Sequence, residues 1–252
     1  MRPPSTGAAW FVLCKAGGIT VDAMSDLLTY EHRDGVARVT LDDGKVNALS
    51  IAMLRELHAA LDQAESDEAV VVVGGREGFL SAGFDLKVFR EEPERLGEML
   101  RLGADLSERI LAFPRPVLVA SSGHAIAAGS FLLLAADARI AADGPFDIGL
   151  NEVRIGLTLP LFVVELARHR LAPAHFDKAL VTARMYRPAE AVEAGFLDRV
   201  VAPEDLEEAC EAAAQELVAL NPEAHAATKL RVRGAALEAL HEAIEAELPP
   251  LP

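Results

Sequence analysis

The stretch Pro116-Val117-Leu118-Val119-Ala120-Ser121, followed by Ser122-Gly123-His124-Ala125-Ile126-Ala127-Ala128-Gly129-Ser130, decides the class of fold. Its first half is a short, almost wholly apolar run, the pattern of a strand buried on both faces. Small residues mark the junction that follows. Ile126 to Ala136 is then apolar all round, which predicts a buried helix, and Arg139 to Ala142 predicts the next short strand. Strand, tight junction, buried helix and strand in succession make a crossover unit of a parallel sheet.

The same grammar extends in both directions. Upstream, Ala69 to Val73 is a second continuous apolar run, ending in Gly74-Gly75, and an amphipathic stretch from Pro93 to Phe113 lies between the two strands. Earlier still, Leu27 to His32 and Val36 to Leu41 flank Asp34-Gly35, the signature of a hairpin. Ser50 is a good N-cap, and Ile51, Leu54, Leu57 and Leu61 recur behind it at helical spacing. Downstream, helical patterns run from Pro160 to Ala183, Pro188 to Ala194 and Glu204 to Leu220. Strands alternate with helices and helices then take over, so the expected fold is an α/β core with right-handed crossovers and a C-terminal helical layer. No fixed-period repeat or low-complexity linker divides the chain. Met1 to Ala23 carries neither period, contains Pro3-Pro4 and Gly17-Gly18, and is expected to be a disordered or weakly attached extension.

Composition narrows the function. The 252 residues suffice for one large domain with a substantial core. Lys and Arg total 24 against 39 Asp and Glu, a formal charge of −15, which argues against binding nucleic acid or an anionic membrane through the whole surface. No apolar run reaches the roughly 18 residues a membrane helix needs, and Ala8 to Cys14 lacks the cleavage site of a signal peptide. Cys14 and Cys210 stand far apart without metal-ligand spacing, which fits a reducing cytoplasm better than a disulfide framework or a zinc site.

Several catalytic signatures are absent. Gly78 to Gly83 looks like a nucleophile elbow, but Phe79 occupies the position two before Ser81 where that motif needs Gly, so Ser81 is not expected to be a nucleophile. No phosphate-binding loop or dinucleotide fingerprint is present, and His241-Glu242 lacks the second His of a metalloprotease. What remains is two small-residue junctions, each after a buried strand: Phe79-Leu80-Ser81-Ala82-Gly83-Phe84-Asp85-Leu86-Lys87 and Ser122 to Ser130. Either alone would be a tight turn packed for steric reasons. Together they offer free backbone N–H groups that could converge on one oxygen, an oxyanion hole suited to a thioester enolate.

On these residues the chain resembles the enoyl-CoA hydratase/isomerase (crotonase) family. Ser81-Ala82-Gly83-Phe84-Asp85-Leu86 is similar to its first oxyanion and CoA-binding segment, and Gly123 to Gly129 to its second. Lys45-Val46-Asn47-Ala48-Leu49, Ala189-Glu190-Ala191 and Gly195 to Val201 match further segments, and the resemblance spans Leu27 to Lys229. It implies a crotonase-like ββα spiral core over residues 24–200, a C-terminal helical trimerisation region over 201–252, and a homotrimer or dimer of trimers. It implies that the N–H groups of Phe84 and Ala128 are the hole donors and that the backbone around Ala82, Phe84 and Leu86 receives the adenine end of CoA. Lys87 is placed where it could meet a CoA phosphate, although a lone exposed Lys is more often simply solvated. The family usually has Gly at the second donor position. Ala128 keeps the N–H, but its methyl narrows the space beside the thioester.

The acid/base residues distinguish the reactions. Hydratases of the family use two glutamates, because adding water requires activating it and delivering a proton. The first of those positions here is Phe131, a core residue or a wall for an apolar acyl chain. The second is Glu152, in Gly149-Leu150-Asn151-Glu152-Val153-Arg154-Ile155-Gly156-Leu157, a run similar to that of Δ3,Δ2-enoyl-CoA isomerases. One carboxylate suffices for a 1,3-proton shift, so the expected activity is conversion of 3-enoyl-CoA to 2-enoyl-CoA, with CoA arriving as part of the substrate and no metal or redox cofactor. Asp147 is expected to point outward and His124 to be a packed side chain. The alternatives are enoyl-CoA hydration, thioester cleavage, and acyl-CoA binding with little turnover.

Overall fold

Left-handed backbone at Asp34 and Gly35, with φ of 51° and 77°, turns the chain back on itself and starts the main sheet as a hairpin. The computed structural model describes residues 20–22, 26–248 and 250–251. Along the chain, β1 (Thr20–Asp22) pairs antiparallel with β2 (Leu28–Arg33), which pairs with β3 (Val36–Leu41) across the turn. Thr20–Asp22 thus pairs at the sheet edge, in a stretch where the sequence shows no strand period; residues 1–19 and 23 of the expected disordered or weakly attached extension lie outside the described residues. The two-residue β4 (Ala48–Leu49) leads to Ser50, whose Oγ accepts the Met53 N–H and caps α1 (Ile51–Ser66).

The valine run forms β5 (Val70–Gly74), followed by the short β6 (Gly78–Ser81) and β7 (Gly83–Phe84). Asp85 caps α2 (Leu86–Glu91), and a 3₁₀ turn opens α3 (Leu96–Ala112), so the helix starts three residues later than Pro93. Next come β8 (Val117–Ser121), β9 (Gly123–Ile126), α4 (Ala128–Ala135), β10 (Ala138–Ala142) and β11 (Ile148–Gly149). The buried helix therefore begins at Ala128. Ile126, expected inside it, ends a strand, because Ala127 at φ 50° and ψ −125° breaks the helical path. The stretch from Pro160 to Ala183 is two helices, α5 (Leu161–Arg170) and α6 (Pro173–Leu180), separated where Pro173 cannot continue the first. The chain ends with α7 (Pro188–Ala194), β12 (Arg199–Val201), α8 (Leu206–Val218) and the long α9 (Pro222–Glu247).

The main sheet runs in the order β1-β2-β3-β5-β8-β10-β12, parallel from β3 onward. A smaller parallel sheet, β11-β9-β6, and the β4-β7 pair lie beyond its strand ends. Alternation divides the core. Val71 and Val73 face the cluster with α1, α3 and α4, whereas Val72, Leu118 and Ile140 face Leu206, Ala209, Cys210 and Ala214 of α8. The α9 helix is fastened by ions as well as by packing. Buried Lys229 and Arg233 reach Asp137 at 2.6 and 2.8 Å, and Asp137 also accepts the Val117 N–H at 2.7 Å. The mixed α/β architecture with a parallel-rich sheet is the one the sequence predicts. No helix among the described residues is long and apolar enough to cross a membrane.

Candidate active site

Two strands of the smaller sheet, β6 and β9, run through the two small-residue junctions and so bring them side by side. Asn47 holds the first junction in place. Fully buried at φ 52°, it donates from Nδ2 to the carbonyls of Leu41, Phe79 and Leu80 at 2.9, 3.2 and 3.1 Å, and its Oδ1 accepts the Asp43 N–H at 3.0 Å. Ser81 is likewise buried, with Oγ donating to the Asn47 carbonyl at 2.6 Å and accepting the Gly83 N–H at 3.1 Å, so its hydroxyl serves structure. The Asp85 N–H donates to the Leu49 carbonyl at 3.4 Å. Since Leu49 lies opposite Phe84 in the parallel β4-β7 pair, the Phe84 N–H points away from β4.

The second junction abuts the first. A Cβ on Gly83 would lie 2.8 Å from the Ala127 Cβ and 3.1 Å from the Ala128 nitrogen, so no other residue fits there. Ala128 opens α4, and a first helical N–H has no acceptor within its helix. The positive φ at this junction belongs to Ala127, not Ala128. An Ala held there is strained by about 1–3 kcal/mol, offset by its bond to the Gly149 carbonyl at 2.9 Å and by burial of the helix it starts.

Beside the junctions lies a cavity of about 170 Å³, whose lining includes Ala82, Phe84, Leu86, Phe131, Asn151 and Glu152. Glu152 is the one ionisable side chain among the described residues of that lining. It is 7% exposed, and its Oε2 has no hydrogen-bond partner. Burial pushes its pKa up from 4.5 to about 7, with its own backbone N–H offsetting a small part. The loop is fixed around it: the Glu152 carbonyl accepts the N–H groups of Ile155 and Leu157 at 3.0 and 2.9 Å, and Gly156 closes the turn at φ 83°. Phe131, 3% exposed, packs edge-to-face against Phe84 and Phe162, with ring centroids 5.9 and 5.6 Å away.

Five of the residues singled out from sequence thus meet at one cavity: Ala82, Phe84, Leu86, Phe131 and Glu152. Ala128 is buried immediately behind its Ala127 wall. Lys87 is exposed in the first turn of α2 and is not part of the lining. Asp147 points outward to Arg187 at 3.1 Å. His124 is a packed ring, its Nδ1 accepting the Asp147 N–H at 2.9 Å between Phe79 and Phe146. Sequence reasoning did not single out Asn47, Ser130 or the side chain of Asn151, whose buried Oδ1 also lacks a partner beside Glu152. A polar residue inside an otherwise apolar junction is the signal that would have found them.

A family model described as enoyl-CoA hydratase/isomerase matches residues 31–249. An enoyl-CoA hydratase/isomerase family protein from Pseudomonas syringae is 48% identical with a TM-score of 0.87, over 89% of this chain and 98% of that one. A Mycobacterium tuberculosis protein, described as an enoyl-CoA isomerase with one structure and as a probable enoyl-CoA hydratase with another, is 41% identical with a TM-score of 0.84 in both, the first over 89% of this chain and 100% of that one. Human mitochondrial enoyl-CoA delta isomerase 1 is 29% identical over 206 residues, covering 80% of this chain and 68% of that protein. Fold and sequence agree along nearly the whole described chain, which belongs to the enoyl-CoA hydratase/isomerase family.

Proposed function

We propose that the protein shifts the double bond of a 3-enoyl-CoA to give the 2-enoyl-CoA, with Glu152 as the only proton carrier. The observation that carries this reading is the pairing of one buried carboxylate, its Oε2 without a hydrogen-bond partner, with an aromatic ring at Phe131, in a cavity lined by no other ionisable side chain among the described residues. The Glu152 carboxylate takes a proton from C2 of the substrate. The electron pair released moves onto the thioester oxygen as a dienolate, where the N–H groups of Phe84 and Ala128 stabilise the developing charge. Collapse of the dienolate protonates C4 from the same carboxyl, and the double bond moves from C3–C4 to C2–C3. Atoms and electrons balance within the substrate, so the reaction consumes no water and no redox equivalent.

A pKa near 7 suits both halves of this cycle, since the carboxyl must take a proton and give it back. Hydration would need a second group to activate water, and Phe131 offers none. The apolar lining of Phe84, Leu86, Phe89, Leu100 and Leu157 suits the acyl chain. The test is product analysis of the purified protein with 3-enoyl-CoA and, separately, 2-enoyl-CoA. The reading requires 2-enoyl-CoA from the first and little 3-hydroxyacyl-CoA from the second. Glu152→Gln, which keeps shape but not basicity, should lower turnover by about 100-fold or more. Fast hydration, thioester hydrolysis, or binding without turnover would each overturn it.

A further inference from the structure

The Phe84 ring is held in a slot that exists only because residue 103 has no side chain. A Cβ built on Gly103 would lie 2.5 Å from Cζ and 2.6 Å from Cε1 of Phe84. Neither wall of the slot can retreat easily. On the α3 side, Ser107 Oγ donates to the Gly103 carbonyl at 2.9 Å and His58 Nε2 donates to the Leu102 carbonyl at 3.1 Å, and the His58 carbonyl in turn accepts Arg109 at 3.0 Å. Opposite, Phe131 meets the ring edge-to-face and is itself backed by Phe162. The backbone of Phe84 belongs to a two-residue strand, with little secondary structure of its own to resist a push from its side chain.

We propose that Gly103 is a positioning residue for the reaction: by admitting the Phe84 ring into α3 it fixes the Phe84 N–H that the functional reading above, on which this inference rests, assigns to the thioester oxygen. The interior of a long helix is an unfavourable place for Gly, and here the missing Cβ serves a neighbour rather than the helix itself. Any side chain at 103 drives the ring toward Phe131 and moves the hole donor off the oxygen. The dienolate oxygen exists only after proton abstraction, so the loss falls on kcat and leaves KM nearly unchanged.

The test is a double-mutant cycle between residues 103 and 84, assayed with 3-enoyl-CoA. Gly103→Ala should lower kcat by about 100-fold, the usual effect of misplacing a reacting contact by an ångström, with KM within about threefold of wild type. Phe84→Leu removes the two ring atoms that collide with the new Cβ while keeping the backbone N–H. In that background Gly103→Ala should change kcat by less than about threefold. Wild-type kcat in Gly103→Ala would overturn the inference, as would an equal loss in both backgrounds, which would mark general damage to α3. A wild-type protein inert toward 3-enoyl-CoA would overturn the functional reading, and the inference with it, and is distinguishable from both results.

Discussion

The Gly149 N–H donates to Ser130 Oγ at 3.1 Å, and that hydroxyl donates on to the Ala125 carbonyl at 2.6 Å. Ser130 lies in the first turn of the helix that begins at Ala128, and Gly149 lies three residues before Glu152. One fully buried hydroxyl therefore ties the proposed oxyanion junction to the proposed base. Ser130→Ala leaves the Gly149 N–H buried without this acceptor, which should destabilise the fold by about 1–3 kcal/mol. Because the bond spans the two parts to which the proposed mechanism assigns catalysis, kcat should fall further than the loss of folded protein explains. Urea denaturation and active-site-normalised turnover measure the two effects separately, and an unchanged kcat would show that the tie is structural only.

Raising a carboxyl pKa from 4.5 to about 7 makes the folded state hold a proton that the unfolded chain releases. Between those values the native protein binds more protons, so stability falls as pH rises and is lowest above pH 7. The whole shift corresponds to about 3 kcal/mol. Glu152→Gln abolishes this titration. Its stability should match wild type near pH 4 and exceed it by about 2–3 kcal/mol at pH 8, while activity moves the opposite way. In the unmodified enzyme kcat/KM should rise with pH through about 7 and level off, since only the carboxylate can accept the C2 proton. A profile flat from pH 5.5 to 8 would remove Glu152 from the rate-limiting proton transfer.

Replacing Phe131 by Glu should not turn the protein into an efficient hydratase. The ring is 3% exposed and boxed between Phe84 and Phe162, so the new carboxyl would be desolvated close to a second one. Both effects raise carboxyl pKa values and destabilise the ionised pair. Phe131→Glu should lose aromatic packing, about 2 kcal/mol or more, and show a higher pH threshold for any residual isomerase activity. Thermal denaturation at pH 5 and pH 8 tests this, with the larger loss expected at pH 8.

What could be read from the chain follows from which interactions are local. The Asp34-Gly35 hairpin, the valine strand and the helix capped by Ser50 announce themselves by period or by a capping residue, and each forms within a residue of where the pattern places it. The short strands β4, β6, β7, β9 and β11 did not, because two to four residues carry no period and their pairing partners are distant in sequence. The helix boundary at Ala128 was missed for a related reason: Ala127 is an ordinary helix former, and what surrounds its strained turn, Gly83 beside it and the Gly149 carbonyl that accepts its N–H, is distant in sequence. Glu152 was legible through its motif, but its burial was not, since apolar neighbours such as Val153 and Ile155 are themselves about half exposed, at 46% and 48%. The Gly103 slot was invisible because it is a contact between a helix and a strand that no local pattern links.

Asn47 is the polar residue on which the first junction hangs, and it offers the sharpest stability test. Its side chain satisfies three carbonyls and one N–H in a site with no measurable exposure. Asn47→Ala would strand those groups and also place an alanine at φ 52°, where Asn is tolerated better than other side chains. With each lost partner worth about 1 kcal/mol or more, the fold should lose about 3–5 kcal/mol. Asn47→Asp is the informative companion. It preserves size and the acceptor toward Asp43 N–H but sets a carboxylate against the carbonyls of Leu41, Phe79 and Leu80, so it should be at least as destabilising as Ala. Urea midpoints for the two variants decide the matter: an aspartate variant close to wild type would mean that the three Nδ2 bonds contribute little and that shape alone holds the junction.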